Sequence, residues 1–260
     1  MSTFAMHVAK TGLNSQQIKM QVIANNLANV NTTGFKADRA NFESLLYQIL
    51  RGAGDNTSEN TSLTSGLSVG TGTRLLNTSK LHTQGSLINT GNSLDISIEG
   101  DGFFQVLLPD GRVAYTRSGA FSRNAEGTVT TASGYALQPE ITIPAEAISI
   151  NISSDGIVSV QVPGAVEAEE VGQITLADFP NRQGLQPNGE SMLLETPASG
   201  APIVAAPFEE GMGRTVQGSL ESSNVNVVQE LVDMIETQRA YEVSSKTITS
   251  VDEMMRYLAQ

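Results

Sequence analysis

The chain of 260 residues contains no cysteine and no tryptophan, and it has only two histidines. Without cysteine it forms no disulfide and offers no thiolate for nucleophilic or metal-binding chemistry. The two imidazoles, His7 and His82, are far apart in sequence, and neither has a second histidine at metal-ligand spacing. The sequence therefore predicts no metal site and no cofactor.

Long apolar runs are also missing. No uninterrupted apolar stretch approaches the roughly 20 residues that a membrane-spanning helix needs. The first ten residues lack the apolar core of a secretory signal peptide, so we expect any export to proceed without a cleaved signal. The formal net charge is −12, which argues against nucleic acid as a partner because phosphate backbones would repel such a chain.

The two ends of the chain carry matching heptad patterns. Apolar or small side chains recur at alternate spacings of three and four over residues 4–29 and again over residues 231–255. This spacing is typical of helices that pack lengthwise. Neither Gly nor Pro follows Ser222, so a continuous helix through Leu258 would be about 50 Å long.

Charge favours pairing of these two ends. Residues 1–40 hold four basic side chains against one acidic, whereas residues 221–260 hold seven acidic against three basic. Opposite charges favour the contact, although an exposed pair contributes only about 0–1 kcal/mol. The alternative remains open that both helices simply pack on the core of their own molecule. Because polar residues such as Thr11 and Gln238 interrupt the pattern, we expect neighbouring subunits to help order the helices.

In the middle of the chain, a polar stretch is followed by a pattern that predicts β structure. Residues 52–73 are mostly Gly, Ser, Thr and Asn, which bury too little apolar surface to order alone. Alternating apolar residues flank turn sequences at 109–111 and 153–156, which predicts two hairpins. We therefore predict an α+β fold with paired terminal helices in a coiled-coil-like layer. Its predicted segments are a helix and turn (1–44), a polar linker or extended insertion (45–75), an antiparallel β-rich domain (76–219) and a C-terminal helix (220–260).

Catalytic signals are weak. Residues 66–70 read Gly-Leu-Ser-Val-Gly, as in a hydrolase nucleophile elbow, but no acid lies between Ser68 and the downstream His82, and no helix pattern follows. Scattered carboxylates in the β-rich segment leave a periplasmic carbohydrate-active enzyme as an alternative. No tryptophan is present to stack on a sugar. The sequence predicts no catalytic residue.

The ends and the middle together resemble a known family. Residues 22–36 (VIANNLANVNTTGFK), 221–232 (ESSNVNVVQELV) and 238–242 (QRAYE) are similar to the terminal signatures of flagellar rod, hook and hook-filament junction proteins. Residues 99–104 (EGDGFF) and 115–121 (YTRSGAF) resemble the β domain of these proteins. The resemblance covers essentially the whole chain and is closest to the distal rod members of the basal-body rod family.

The resemblance implies a structural subunit rather than an enzyme. Family members are exported unfolded by the flagellar type III apparatus and polymerise into a hollow helical shaft in the periplasm, which transmits torque to the hook and passes exported subunits. Implied partners are further copies of the chain, the proximal rod and hook proteins, and the envelope rings, without membrane insertion. A proximal rod or hook-type protein is the alternative within the family. The expected subunit-interface residues are Phe4, Val8, Ile18, Val22, Asn25, Asn26, Leu27, Leu231, Met234, Tyr241, Ile248, Met255 and Leu258.

Overall fold

The computed structural model describes residues 2–52, 56–58, 61–62, 64–164 and 168–258. The chain divides into two compact units. The helical unit contains Met1–Ala28, Asp38–Ser79 and Asn226–Gln260, and the β unit contains Asn29–Ala37 and Lys80–Val225. The predicted α+β class is confirmed, because a helix lies at each end of the chain and an antiparallel β-rich region lies between them. Residues 29–37 thus fold with the β-rich part, whereas 38–79 fold with the helices.

Two long helices dominate the helical unit. Helix α1 spans Ser2–Ala28 and helix α2 spans Val227–Leu258, about 48 Å at roughly 1.5 Å per residue. Asn226 caps α2, because its Oδ1 accepts hydrogen bonds from the N–H groups of Val228 (3.1 Å) and Gln229 (3.3 Å). The two helices pack against each other. Within the described residues, neither helix combines the length and hydropathy that a membrane span requires.

The buried stripe of α2 is displaced from the predicted heptad positions. Thr237 and Val251 are buried, whereas the predicted positions Leu231 and Gln238 are exposed. The Thr237 hydroxyl donates to the carbonyl of Asp233 at 2.6 Å, so this small side chain is buried without losing a hydrogen bond. The apolar residues of α2 are too sparse for periodicity alone to define which face is buried.

The expected charge attraction between the helices is not what joins them. Among the described residues, no ion pair links α1 to α2. Two of the charges counted for this attraction, Lys36 and Glu221, instead pair with each other at 2.6 Å inside the β unit. The count over sequence windows did not separate helical residues from the turns that flank them, and the expected attraction between helices of neighbouring copies stays a prediction.

Short strand pairs complete the described part of the helical unit. The first pair joins β1 and β6, the second joins β2 and β5, and the third joins β3 and β4. The segment 45–75, expected as a linker or extended insertion, therefore contains a two-stranded ribbon. The strands are β1 (Asp38–Ser44), β2 (Tyr47–Arg51), β3 (Asn56–Ser58), β4 (Thr61–Ser62), β5 (Leu67–Gly70) and β6 (Thr73–Lys80).

The β unit is built from short antiparallel strands. Its largest sheet has the order β11-β12-β13-β9-β10-β19-β18, with β17 pairing both β9 and β20. Smaller sheets are β14-β15-β16, β21-β8 and β22-β7. The strands are β7 (Leu87–Asn89), β8 (Ile96–Glu99), β9 (Phe103–Leu107), β10 (Val113–Thr116), β11 (Phe121–Arg123), β12 (Val129–Thr131), β13 (Ala136–Gln138), β14 (Ser149–Ile152), β15 (Ile157–Gln161), β16 (Glu169–Gln173), β17 (Leu176–Asp178), β18 (Gln186–Gly189), β19 (Met192–Leu194), β20 (Ile203–Ala205), β21 (Arg214–Gln217) and β22 (Ser219–Glu221).

Both hairpins predicted from turn sequences are confirmed. Strands β9 and β10 pair across residues 108–112, and β14 and β15 pair across 153–156. In the second hairpin Ile152 lies opposite Val158, and both are buried. Alternation of apolar and polar residues along β14 and β15 accounts for one buried face in this second hairpin.

Strand β9 contributes buried side chains to both faces of its sheet, because successive side chains of a strand point to opposite faces. Phe104 and Val106 belong to a large apolar cluster on one face. Phe103 belongs to a smaller cluster with Tyr115 and Phe179. The β unit therefore has an apolar core on both faces of its central strand, formed within the single chain.

Candidate assembly surface

The helical unit has almost no apolar core of its own. Among its described residues, only Ile23 (4% exposed) and Val251 (8% exposed) are buried apolar side chains. Most helical stability in proteins comes from packing of an apolar face rather than from helix propensity. Helices of this length with so little buried apolar area indicate that further contacts from outside the chain stabilise them.

The residues predicted on α1 lie on or beside its packed face. Asn26 is buried, with 2% of its surface exposed, whereas its neighbour Asn25 is exposed. The buried apolar residue Ile23 was missed as an interface candidate, although its apolar character and its place in the terminal signature could have identified it. The remaining predicted α1 residues are half-buried: Phe4, Val8, Ile18, Val22 and Leu27.

Asn26 joins three elements of the helical unit. Its Nδ2 donates to the Asp38 carbonyl at 2.9 Å and to Glu230 Oε1 at 3.0 Å, and its Oδ1 accepts from the Asp38 N–H at 2.8 Å. The amide therefore fixes the start of β1 and the first turn of α2 against α1. Burial raises the pKa of Glu230, and the Asn26 amide opposes that shift by donating to its carboxylate.

Replacing Asn26 by alanine is expected to destabilise the helical unit by about 1–3 kcal/mol, because the Asp38 N–H loses its partner within the helical unit. Hydrogen exchange of the amides of residues 15–40 in the monomer measures the effect. The control is Asn25→Ala, since Asn25 is exposed and its contact with Asp38 Oδ2 is long at 3.5 Å. Equal loss of protection in both variants would contradict the role given to Asn26.

Helix α2 exposes a continuous apolar stripe in its first turns. Val228, Leu231, Val232 and Ile235 stand at the i, i+3, i+4, i+7 positions of one face and are 43–72% exposed. Of these, only Leu231 was predicted. The heptad pattern selects one set of positions at alternate spacings of three and four, and the other three residues lie outside that set. Of the remaining predicted residues, Tyr241 is 39% exposed, Met234, Ile248 and Met255 are half-buried, and the side chain of Leu258 lies outside the described residues.

The ribbon formed by β2 and β5 exposes further apolar side chains. Leu46 is 89% exposed, Tyr47 61%, Ile49 71%, Leu50 51% and Leu67 54%. A two-stranded ribbon is marginally stable alone in water, and contiguous apolar patches on a folded protein mark interaction sites. The ribbon and the α2 stripe together make the helical unit a surface for association.

No catalytic arrangement is formed by the residues that the sequence singled out. Ser68 lies within β5, and the segment after it joins β6 rather than a helix, so the geometry of a nucleophile elbow is absent. Among the described residues, no cluster of three or more His, Asp or Glu side chains is placed to hold a metal ion.

A buried ionic cluster, here called the clasp, joins distant segments of the β unit. Glu221 is 1% exposed; its Oε1 accepts from Lys36 Nζ at 2.6 Å and from the Gly85 N–H at 2.8 Å. Its Oε2 lies 3.4 Å from Arg117 Nη1. Burial lowers the pKa of Lys36 and of Arg117, and the Glu221 carboxylate opposes both shifts. The clasp therefore ties the 29–37 turn to the segment that precedes α2.

Gly34 allows this turn to approach the core. Its φ is +68°, a conformation that glycine adopts without steric cost, and its N–H donates to the Glu221 carbonyl at 2.8 Å. A Cβ at this position would lie 2.4 Å from the backbone nitrogen of Ser118. Any larger residue would therefore push the turn away from the clasp.

His82 lies next to the clasp and is expected to make the β unit sensitive to acid. Burial, reinforced by the Lys36 charge, lowers its pKa from 6.5 to about 4. Because the folded pKa is depressed, the unfolded chain takes up a proton first as the pH falls from 6.5 towards 4, and stability falls in that window. The loss between pH 7 and pH 5 should be about 1–2 kcal/mol.

Urea unfolding of wild type and His82→Gln at pH 7 and pH 5 measures this contribution. Glutamine does not titrate, so the variant should lose less stability on acidification than the wild type. Carboxylates contribute equally to both proteins and cancel in the comparison. The same loss in both would show that His82 does not contribute.

The described residues thus combine a β unit that has its own apolar core with a helical unit that exposes many apolar side chains. Three family descriptions match the sequence of the chain: "Flagella basal body rod protein" (residues 6–36), "Flagellar hook protein FlgE/F/G D1 domain" (97–160) and "Flagellar basal body rod FlgEFG protein C-terminal" (216–260).

Similarity to individual proteins extends over nearly the whole chain. The chain is 51% identical to the flagellar basal-body rod protein FlgG of Buchnera aphidicola subsp. Schizaphis graminum, over 98% of both chains. It is 45% identical to FlgG of Agrobacterium fabrum over 96% of both, and 36% identical to FlgG of Bacillus subtilis over 95% of both. The chain belongs to the family of flagellar basal-body rod proteins, which are structural proteins rather than enzymes.

Proposed function

We propose that this protein is a subunit of the distal rod of the bacterial flagellum, which self-assembles into a hollow helical shaft that transmits torque to the hook and passes exported subunits. The observation that carries the proposal is the contrast between the units. The β unit has its own core, whereas the described helical unit buries only two apolar side chains and exposes many. Full-length similarity to proteins named as rod subunits supports the same assignment.

The terminal helices would form the inner layer of the shaft. In the proposed assembly α1 and α2 pair in a coiled-coil-like layer that further copies of both helices complete. The exposed stripe at Val228, Leu231, Val232 and Ile235 would face a neighbouring copy, and the predicted interface residues on α1 and α2 would pack within and between copies. Burial of each large apolar side chain contributes about 1.5–3 kcal/mol, so several together make assembly favourable.

The proposed partners follow from a place in the rod. They are copies of the same chain, the proximal rod proteins on one side, the hook protein on the other, and the envelope rings around the shaft. We propose that the subunit reaches the periplasm through the flagellar export apparatus without cleavage of a signal peptide.

The ribbon favours a distal rod over a proximal rod or hook-type protein. A stretch of about 24 residues at 47–70 with exposed apolar side chains on a rod-like scaffold would fit between neighbouring subunits and stiffen the shaft. The ribbon begins and ends at paired positions, since Tyr47 lies opposite Gly70 and the Leu45 N–H donates to the Gly72 carbonyl at 2.9 Å. Its removal leaves Leu46 and Thr71 as the residues to be joined, and these are neighbours, since the Thr71 hydroxyl donates to the Leu46 carbonyl at 2.6 Å.

Complementation tests the proposal. The chain is expressed in a flagellated bacterium that lacks its own distal rod subunit, and isolated basal bodies are imaged by electron microscopy. We expect wild type to restore straight rods and swimming, and the variant lacking residues 47–70 to form rods that are bent. Failure of the wild-type chain to enter rods would reject the distal rod assignment. Straight rods built by the shortened chain would reject the stiffening role of the ribbon.

A further inference from the structure

A cavity of about 250 Å³ in the β unit collects positive charge. Its lining includes Lys36, Lys80 and Arg117 and one acidic residue, Glu190. Residues 29–37 and 80–225 contain 7 basic residues against 17 acidic ones, a net charge of −10. Three of those seven basic residues therefore line one cavity of a strongly acidic unit. The three cations exceed the two neighbouring carboxylates, Glu190 and the Glu221 that Lys36 and Arg117 share, by one charge, and this excess favours a carboxylate as the ligand.

Arg117 has a donor that nothing in the described β unit satisfies. Its side chain is 4% exposed; Nη2 donates to the Gly100 carbonyl at 2.7 Å and Nη1 approaches Glu221, but Nε is buried without a hydrogen-bond partner. Buried polar groups are nearly always paired in native proteins, so this unpaired donor marks Arg117 as a cavity-lining residue whose polar contacts the described chain does not complete.

The rest of the cavity wall is largely apolar. Lys80 Nζ stands 5.2 Å from the Phe35 ring centroid, and Arg117 Cζ stands 5.4 Å from that of Phe103. A small hydrated anion would leave such a wall uncovered. An apolar side chain that carries carboxylates beside it would fit both the wall and the charge. The apolar residues of the wall are Phe35, Phe103, Pro187, Met192 and Leu193.

The β unit also has an exposed apolar side chain beside carboxylates, in residues 208–210, here called the acidic loop. Phe208 is 58% exposed and is followed by Glu209 and Glu210, both exposed. The loop is held by backbone hydrogen bonds from the Phe208 N–H to the Gly213 carbonyl and from the Glu209 N–H to the Ala206 carbonyl. An exposed phenylalanine on a fixed loop is a preorganised ligand.

The cavity wall and the acidic loop both contain residues with strained backbone conformations. The described non-glycine residues with positive φ are Glu190, Ser191, Phe208 and Glu210. The first two line the cavity, and the last two belong to the acidic loop. Such conformations are costly for residues with a side chain and concentrate at functional sites. Residues with strained backbone therefore lie in both the cavity wall and the acidic loop.

We propose that Phe208 of one copy inserts into this cavity of a neighbouring copy, with Glu209 and Glu210 facing Lys80 and Arg117. In a single copy the loop is exposed and the cavity is open, so the occupant comes from a second chain. Because the two surfaces differ, the contact is head-to-tail and propagates into an open helical polymer. The inference rests on the proposed self-assembly and adds a contact through the β unit to the helical one.

A charge-exchange series tests the contact by its effect on the critical concentration for polymerisation of the purified chain. Pro187→Glu adds a carboxylate to the cavity wall on an exposed edge strand, and Asn188→Glu is the control at the adjacent exposed position that does not line the cavity. We expect Pro187→Glu to raise the critical concentration at least about tenfold, and Asn188→Glu to have little effect. Combining Pro187→Glu with Glu209→Lys and Glu210→Lys should restore most of the loss. Equal effects of the two glutamates, or no rescue, would overturn the proposal.

Phe208→Asn separates association from folding. Asparagine tolerates positive φ better than phenylalanine, so the monomer should unfold at the same or a higher urea concentration. The critical concentration should nevertheless rise about tenfold or more, because an apolar contact is lost. Ile148→Asn is the control, since Ile148 is 70% exposed and does not line the cavity. Assembly of Phe208→Asn at the concentration of the Ile148 control would reject the insertion.

Cross-linking gives an independent readout because the natural chain has no cysteine. The pair Pro187→Cys and Glu209→Cys, treated with a short bis-maleimide in assembled rods, should yield a ladder of covalent multimers. The pair Ile148→Cys and Glu209→Cys should not. Rods that assemble and support swimming but give no ladder from the first pair would overturn the insertion while leaving the proposed distal rod function intact.

Discussion

Glutamate in place of Ile235 is expected to abolish polymerisation of the full chain while leaving the β unit folded. Ile235 is 58% exposed in the single chain, so the substitution removes little monomer packing. In the proposed assembly the same side chain is buried, which costs about 1.5–3 kcal/mol of lost apolar burial and a further penalty for the charge. Because about 1.4 kcal/mol corresponds to a factor of ten, the critical concentration should rise at least about a hundredfold.

Sedimentation measures how much polymer forms, and circular dichroism of the monomer measures whether the β unit remains folded. Gln238→Glu is the matched control, because it adds the same charge to α2 at an exposed polar position. The half-buried Ile248 is a poorer choice, since a charge there also disturbs the contact of α2 within its own unit. Normal rods from Ile235→Glu would exclude the apolar stripe from the interface.

Glutamine in place of Glu221 is expected to destabilise the β unit by about 3–5 kcal/mol. The carboxylate is shared by Lys36 and Arg117 in a site that water does not reach. Removing its charge leaves two buried cations uncompensated, and the loss of one partner from a buried ion pair has this magnitude. Urea unfolding followed by tyrosine fluorescence reports the change, since Tyr115 is buried in the same unit.

Glu99→Gln is the control for the loss of a carboxylate at the surface. Glu99 pairs with Arg214 at 2.6 Å, but their side chains are 44% and 49% exposed. Exposed pairs contribute about 0–1 kcal/mol, so this variant should remain close to wild type. A Glu221 variant as stable as the Glu99 variant would show that the clasp is not a source of stability.

Much of the architecture was predictable because it depends on local pattern. The hairpin around Asp155 and Gly156 follows from alternation and turn chemistry, which act over a few residues. The terminal helices follow from the heptad spacing and from the absence of Gly and Pro after Ser222. The ribbon was not predicted as paired strands, because Tyr47 and Gly70 meet across a polar stretch whose composition resembles a linker.

The candidate surface was only partly predictable. Asn26 was found through its place in the terminal signature, but its link to Glu230 joins residues 204 positions apart that no local pattern connects. The clasp was missed for the same reason, because Lys36 and Glu221 lie far apart in sequence and were counted only among the charges that favour pairing of the two chain ends. Which apolar residues of α2 remain exposed depends on where α1 lies, and that contact was not specified by sequence spacing.

The discontinuity of the helical unit has a consequence for the order of events in the cell. Its first helix lies within residues 2–28, but the helix that packs against it begins only at Val227. A chain threaded through a narrow conduit in either direction delivers one helix long before the other. In the proposed export and assembly, an incompletely delivered molecule would present half of a binding surface, so premature association would be suppressed.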